Sequence, residues 1–413
     1  MPVPTSSAPA IDLDPFSAAF LDDPYAGHER MREAGPVVWL ERYGIWAMAR
    51  HAEVHQALND WQTYCSARGV GLSDFAKEEP WRPPSIILEA DPPLHTKSRT
   101  ILARVLSPAT MRRLRAGFEA EAERMVGRLV QRGTFDAIPD LAEAFPLSVF
   151  PDAMGLPAQG RENLIPYGSM AFNAFGPRNW LVDEAMAKAP PVVAWIMKHC
   201  ERGELTPDGF GAEIYAATDR GELTEIEAGL LVRSLLTAGV DTTVNGIGNA
   251  LLCFAHNPEQ WRLLAADPSL ARGAFEEALR YEAAVQTFFR TTTRAVDVGG
   301  VHLEEGQKVL LFLAAANRDP RRWPEPHVFD IRRAATGHAG FGAGIHGCVG
   351  QMLARLEGEV VLAALARTAA TFEPAGPIKR RLNNTLRAVE SLPVRVTAKQ
   401  HSAIGASGAR RGA

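Results

Sequence analysis

The fold is decided by the stretch "FGAGIHGCVG", Phe341–Gly350. It places Cys348 two residues after His346 and two before Gly350, with Gly342, Gly344 and Gly347 ahead of it. A lone cysteine usually packs in a core as a small hydrophobe. A core has no use for so much glycine, which lets a backbone turn sharply or approach something large and flat. The pattern Phe341-x-x-Gly344-x-His346-x-Cys348-x-Gly350 fixes residue type at five positions. It points to a thiol presented to a bound group.

The rest of the chain is that of an ordinary globular protein. Its 413 residues are 46% hydrophobic and 22% charged, with a net charge of −4, so nothing global favours nucleic acid or an anionic membrane. Cys65, Cys200, Cys253 and Cys348 show no CxxC spacing. This argues against a disulfide framework or a zinc site and suits a reducing cytoplasm. The opening "MPVPTSSAPAIDLDPFSAAF" has no cationic start followed by an apolar run, so it reads as neither signal peptide nor anchor. No segment reaches the roughly 18 apolar residues of a membrane span. Residues 1–14 are expected to be a flexible N-terminus and residues 399–413 a disordered tail.

Upstream, "PVVWLERYGIWAMAR" (36–50) reads as a β-hairpin turning near Tyr43-Gly44. From about 107 to 257 the pattern is mainly helical. Ser107-Pro108 opens one helix as N-cap and first-turn proline. Thr224-x-x-Glu227 is a capping box, and the periodic stretch behind it runs to His256. Read as one helix it would be about 50 Å long and cross the centre of the molecule. Residues 291–313 alternate like small antiparallel strands, followed by the Pro-rich run "NRDPRRWPEPHVFDIRR", the glycine loop and a helix from about Gly350. No Gly/Ser-rich linker divides the chain. The expectation is a single large domain, mainly α with a minor antiparallel β part, over residues 15–398.

Three further patterns stand in fixed order with the loop. Glu-x-x-Arg begins at Glu29, Glu79, Glu121, Glu259 and Glu277, so alone it says little. Of these, Glu277-x-x-Arg280 stands nearest ahead of the strands and the Pro-rich run that carries Arg333, 71 residues before Cys348. "AGVDTT", Ala238–Thr243, interrupts the long helix with glycine, aspartate and β-branched residues, a poor helix interior. A threonine hydroxyl there can bond a carbonyl one turn back and bend the helix. "HTKSR" sets His95 and Arg99 on one helix face.

Taken together, these patterns resemble the cytochromes P450 over roughly residues 15–397. The resemblance implies haem b with Cys348 as axial thiolate and metal ligand, a push that favours O–O cleavage. It implies that Phe341, Gly350 and Ala238 lie against the haem. His95 and Arg99 would hold one propionate, and Arg290 and His346 the other. Asp241 and Thr242 become the acid–alcohol pair that delivers protons during oxygen activation. Glu277, Arg280 and Arg333 become a buried structural triad. One departure is Ala284, where many relatives carry a proline, which leaves the local backbone shape open.

Several stretches, among them "EEPWRPPS", "SVFPDAMGL" and "VQTFFRTTTR", are similar to those of bacterial P450s that O-demethylate para-methoxybenzoate. That similarity places Arg82, Ser85, Ser234 and Arg233 at a polar pocket end and Phe172, Phe175, Phe288 and Val285 on apolar walls. It implies O2 and two electrons from a [2Fe-2S] ferredoxin with an NAD(P)H-dependent reductase. Arg104, Arg112 and Arg113 could form a basic docking face for that partner. The alternatives are oxidation of another small aromatic or hydrophobic substrate, a non-oxygenase haem-thiolate sensor, and a helical binding protein without haem. The last would leave the glycine loop unexplained.

Overall fold

The computed structural model describes residues 8–400. Residues 1–7 and the tail beyond Gln400, where the flexible ends were expected, lie outside the described residues. Within them, Ala10–Ile11 is no free end. It pairs in parallel with Trp39 and Leu40, because Ile11 and Phe16 bury their side chains against the sheet.

The helical body is built as the caps dictate. Ser107 Oγ accepts the Thr110 N–H at the head of helix Pro108–Arg132, which ends at Gly133 in the left-handed region, φ 74°. That helix packs along Gln351–Thr368, the helix that follows the glycine loop, and Arg115 reaches Glu359 across the seam at 2.8 Å. Leu102, Phe145, Ile247 and Val361 belong to one continuous core between these elements.

The Thr224/Glu227 capping box is present. The long helix behind it is not one rod. It breaks at Gly239–Val240 into Glu225–Ala238 and Asp241–His256. The apolar pattern does not stop at the break because both halves are buried, the first along one face and the second nearly all round. The break itself is steric and polar: a side chain at Gly239 would run into the Phe150 ring, and Thr242 Oγ1 donates to the Ala238 carbonyl at 2.7 Å.

The expected hairpin forms with Val38–Leu40 against Ile45–Met48, turned by Gly44 at φ 61°. It joins Lys308–Phe312, Thr287–Thr292 and Tyr64–Cys65 in a six-stranded sheet. Two of its pairings are parallel, Ala10–Ile11 on Val38–Leu40 and Ile45–Met48 on Lys308–Phe312. The β part is therefore mixed as well as antiparallel.

Candidate active site

One wide cavity opens between the glycine loop, the broken helix and the sheet. Its walls include Cys348, Phe341, Gly350, His95, Arg99, Arg290, His346, Ala238 and Thr242. Cys65, Cys200 and Cys253 are buried elsewhere.

The loop is held by its backbone. The Cys348 N–H donates to the Phe341 carbonyl at 2.8 Å, and Gln351 Nε2 donates to the Cys348 carbonyl at 3.0 Å. Gly344 has φ 65°, and a side chain on it would strike the Leu58 carbonyl at the end of helix His51–Asn59. Cys348 lies just ahead of helix Gln351–Thr368, whose N-terminus favours negative charge. Burial pushes its thiol up, while the Gly350 N–H, Arg99, Arg355 and the Gln351 N–H pull it back.

Beside the loop, four basic groups meet without a counter-ion to match them. Arg290 is 3% exposed and, among the described residues, donates only to the Phe289 carbonyl, at 2.8 Å; burial pulls it down to about 10. Arg99 donates to the Gly347 carbonyl. The His95 and His346 rings lie 4.4 Å apart. His95 Nε2 is buried without a partner, and burial, with His346 and Arg99 beside it, pulls His95 down to about 4. His346 Nε2 stands 3.7 Å from Asp91, too far for a hydrogen bond. Asp91 spends its oxygens on the Ser66 and Ala67 N–H groups. A buried arginine and an imidazole nitrogen left open are suited to carboxylates entering the cavity.

Asp241 behaves differently from its expected partner. It is fully buried and absent from the cavity wall that Thr242 helps form. Its Oδ1 accepts from Arg381 Nη2 at 2.6 Å and from Asn245 at 3.4 Å, and its Oδ2 has no partner. Burial pushes its carboxyl up, and Arg381 and Asn245 act against that.

At the far end, Arg82, Ser85, Arg233, Ser234, Phe172, Phe175, Phe288 and Val285 all line the same cavity. The three phenylalanine rings form one cluster, with centroids 5.5–6.4 Å apart. Ser85 and Ser234 share a hydrogen bond at 2.9 Å. Arg82 is not free: Nη1 lies 2.9 Å from Glu89 Oε2, and the same oxygen takes the Ser85 N–H at 2.7 Å. Arg233 is 3% exposed and, among the described residues, donates only to the Pro83 and Pro84 carbonyls. Burial and the neighbouring Arg82 pull it down.

Away from the cavity, Arg280 clamps Glu277 through two 2.7 Å hydrogen bonds, both side chains fully buried. Arg333 adds a third contact at 3.2 Å. The backbone at Ala284, without its proline, is fixed by pairing instead: Arg387 N donates to the Ala284 carbonyl and Gln286 N to that of Thr385, both at 2.8 Å. The basic face expected from Arg104, Arg112 and Arg113 is largely neutralised, since Arg104 pairs with Glu222 and Arg113 with Glu213. Only Arg112 of the three has no ion pair among the described residues.

Sequence reasoning missed Glu89, Asp91 and Arg381. Glu89 had a signal, since an arginine headed for an apolar pocket invites the question of what neutralises it. Arg381 had none: it lies 140 residues from Asp241.

A sequence profile described as Cytochrome P450 matches residues 269–386, and relatives above 30% identity cover nearly the whole chain. The chain belongs to the cytochrome P450 family and is a monooxygenase of that class. Among its relatives is Cytochrome p450 CYP199A2 of Rhodopseudomonas palustris, 59% identical over 403 residues, 96% of this chain and 98% of that one. Cytochrome P450 107B1 of Saccharopolyspora erythraea is 34% identical over 93% of this chain and 98% of its own. Two solved structures share the fold. CYP109Q5 of Chondromyces apiculatus has a TM-score of 0.79 at 29% identity over 94% of this chain and 99% of that one. Cytochrome P450 CREJ, in complex with (4-ethylphenyl) dihydrogen phosphate, has a TM-score of 0.80 at 26% identity over 93% and 99%. The family's cofactor is haem, whose iron a cysteine thiolate ligates. A thiol on the cavity wall beside groups open to two carboxylates fits that cofactor and its propionates. Among the described residues, no helix is long and apolar enough to cross a membrane.

Proposed function

We propose that this P450 oxidises small para-substituted aromatic carboxylates, with O-demethylation of 4-methoxybenzoate as its reaction. The observation that carries the reading is charge balance at the far end of the cavity. Arg82 and Arg233 supply two positive charges and Glu89 removes one. The remainder is a single buried positive charge beside two hydroxyls, and a buried charge without a partner is costly. One carboxylate completes the set. Phe172, Phe175, Phe288 and Val285 give the aromatic body an apolar channel. Ser234 lies one helical turn, about 6 Å, before Ala238, a span that one ring with its para substituent fills. The ligand in the CREJ complex likewise joins a para-substituted ring to an anionic group.

Roles follow for the chain's own groups. Cys348 is the thiolate ligand; His95, Arg99, Arg290 and His346 hold the propionates; Phe341, Gly350 and Ala238 pack on the macrocycle. Haem, when bound there, supplies oxygen activation and insertion into the methoxy C–H bond. Arg233, Ser85 and Ser234 fix the acid end and exclude water from it. Thr242 holds a proton donor at the cavity wall, and Asp241 stands behind it as the acid. The electrons come singly from a [2Fe-2S] ferredoxin with an NAD(P)H-dependent reductase. The test is product analysis of the reconstituted holoenzyme. Equimolar formaldehyde and 4-hydroxybenzoate from 4-methoxybenzoate is the expected result. Electron consumption without either product would refute the reaction.

A further inference from the structure

Against Arg381, the partner of Asp241, lies a second, smaller pocket. Ile165, Met170, Ala185, Ala189 and Val192 make it apolar, and Lys188 and Arg381 place two positive charges on it. Arg381 is therefore shared between the pocket and the acid. Its Nη2 holds Asp241 Oδ1 at 2.6 Å, while its Nε is buried with no partner among the described residues. No carboxylate pairs with Lys188 among the described residues. The wall between pocket and acid is thin, for a side chain at Gly168 would strike Asp241 Cβ. An apolar cleft with two cations on its wall matches a small molecule with an apolar body and one carboxylate.

We propose that this pocket is a second binding site for small amphipathic carboxylates, and that a ligand there draws Arg381 away from Asp241. The coupling half of this rests on the reading of Asp241 as the proton-delivering acid. The pair is a two-way choice for one guanidinium. With the pocket empty, Arg381 pulls the Asp241 carboxyl down against the burial that pushes it up. With a ligand carboxylate on Arg381 and Lys188, Asp241 is left buried with Asn245 alone bonded to it. Glu143 is another acid that faces this cluster; burial pushes its carboxyl up, Arg381 acts against that, and the Asp241 and Asp136 charges add to the rise. Asp241 then keeps a proton up to higher pH, ready behind Thr242. The ligand acts as a modulator of proton supply and need not touch the main cavity.

Hexanoate is a suitable probe, titrated by calorimetry into holoenzyme whose main cavity is saturated with neutral 4-methoxybenzamide, which lacks the carboxylate that the second pocket takes. The expected result is one saturable site that disappears in Ala189→Trp, which fills the pocket, while the substrate-induced spin shift of that variant is unchanged. Lys188→Gln should weaken hexanoate about threefold, as for one exposed charge. No saturable binding, or binding untouched by Ala189→Trp, overturns the site. The pH profile of kcat tests the coupling: hexanoate should move the limb set by Asp241 to higher pH in the wild type and not in Ala189→Trp. Binding without that movement overturns the coupling and leaves the site. If Asp241→Asn turns over like the wild type, the reading of Asp241 as the acid fails, and the calorimetry judges the pocket alone.

Discussion

At the scale of single residues, the site divides into groups that act locally and groups that act through a partner. Cys348 belongs to the first kind. Cys348→Ala should abolish the strongly red-shifted Soret band of the reduced carbon monoxide complex; a variant that keeps the band would remove Cys348 as the ligand. Thr242→Ala should still bind substrate but divert electrons to peroxide, read as peroxide formed per electron consumed. Tight coupling in that variant would take Thr242 out of proton delivery. Arg82 belongs to the second kind. Its loss leaves Glu89 buried without a cation, and breaking a buried pair costs about 3–5 kcal/mol. Arg82→Met should therefore destabilise the protein more than the double variant Arg82→Met/Glu89→Gln does, in urea denaturation. Equal losses would mean that the pair is not coupled. The thiol loop, the His95/Arg99 pair and the aromatic walls were legible in the sequence because each is a short pattern. The partners Glu89, Asp91 and Arg381 were not, because no local spacing records who neutralises whom.

At the scale of elements, the broken central helix matters most, because the break opens the cavity wall that Ala238 and Thr242 share. The sequence marks the weak point in "AGVDTT" but not its outcome. Apolar residues continue on both sides, and the deciding contact, Gly239 against Phe150, joins distant segments. Gly239→Ala should overpack that contact and lower the urea midpoint, by about 1–3 kcal/mol of stability. An unchanged midpoint would show that Phe150 yields without cost. Hairpins and caps were legible, since turn and cap chemistry is local: Gly44 turns the predicted hairpin and Thr224 caps the predicted helix. The parallel pairing of Trp46 with Val309 was not, because parallel strands are joined by long crossovers that leave no mark on either strand.

At the scale of the whole molecule, buried ion clusters tie remote segments into one body. Glu277–Arg280–Arg333 fastens helix Ala271–Tyr281 to the Pro-rich run. Glu282, at the end of that helix, gathers Arg318, Arg380 and Arg387 from two later segments and Tyr25 from the N-terminal part. Burial alone would raise the Glu282 carboxyl, but Arg387, Arg380 and Arg318 reverse this and hold it at about 2. A carboxyl held below its unfolded value stabilises the fold above that value and loses the contribution as pH falls through the folded one. The contribution is on the order of 3 kcal/mol, present above about pH 4.5 and lost towards pH 2. The urea midpoint of the wild type should fall across that window, and that of Glu282→Gln should fall less. Parallel declines would assign the acid sensitivity to other groups. The triad was legible from chain order read with the family resemblance; the Glu282 cluster was not, since its members are single polar groups scattered from Tyr25 to Arg387. The account as a whole turns on one charge, the positive charge left at the end of the cavity after Glu89 has matched Arg82. The most direct measurement is a pair of spin-shift titrations, 4-methoxybenzoate and neutral 4-methoxybenzamide, on the wild type and on Arg233→Met. The account predicts that the acid loses about 2–5 kcal/mol of binding in the variant while the amide loses much less; equal losses for acid and amide would contradict it.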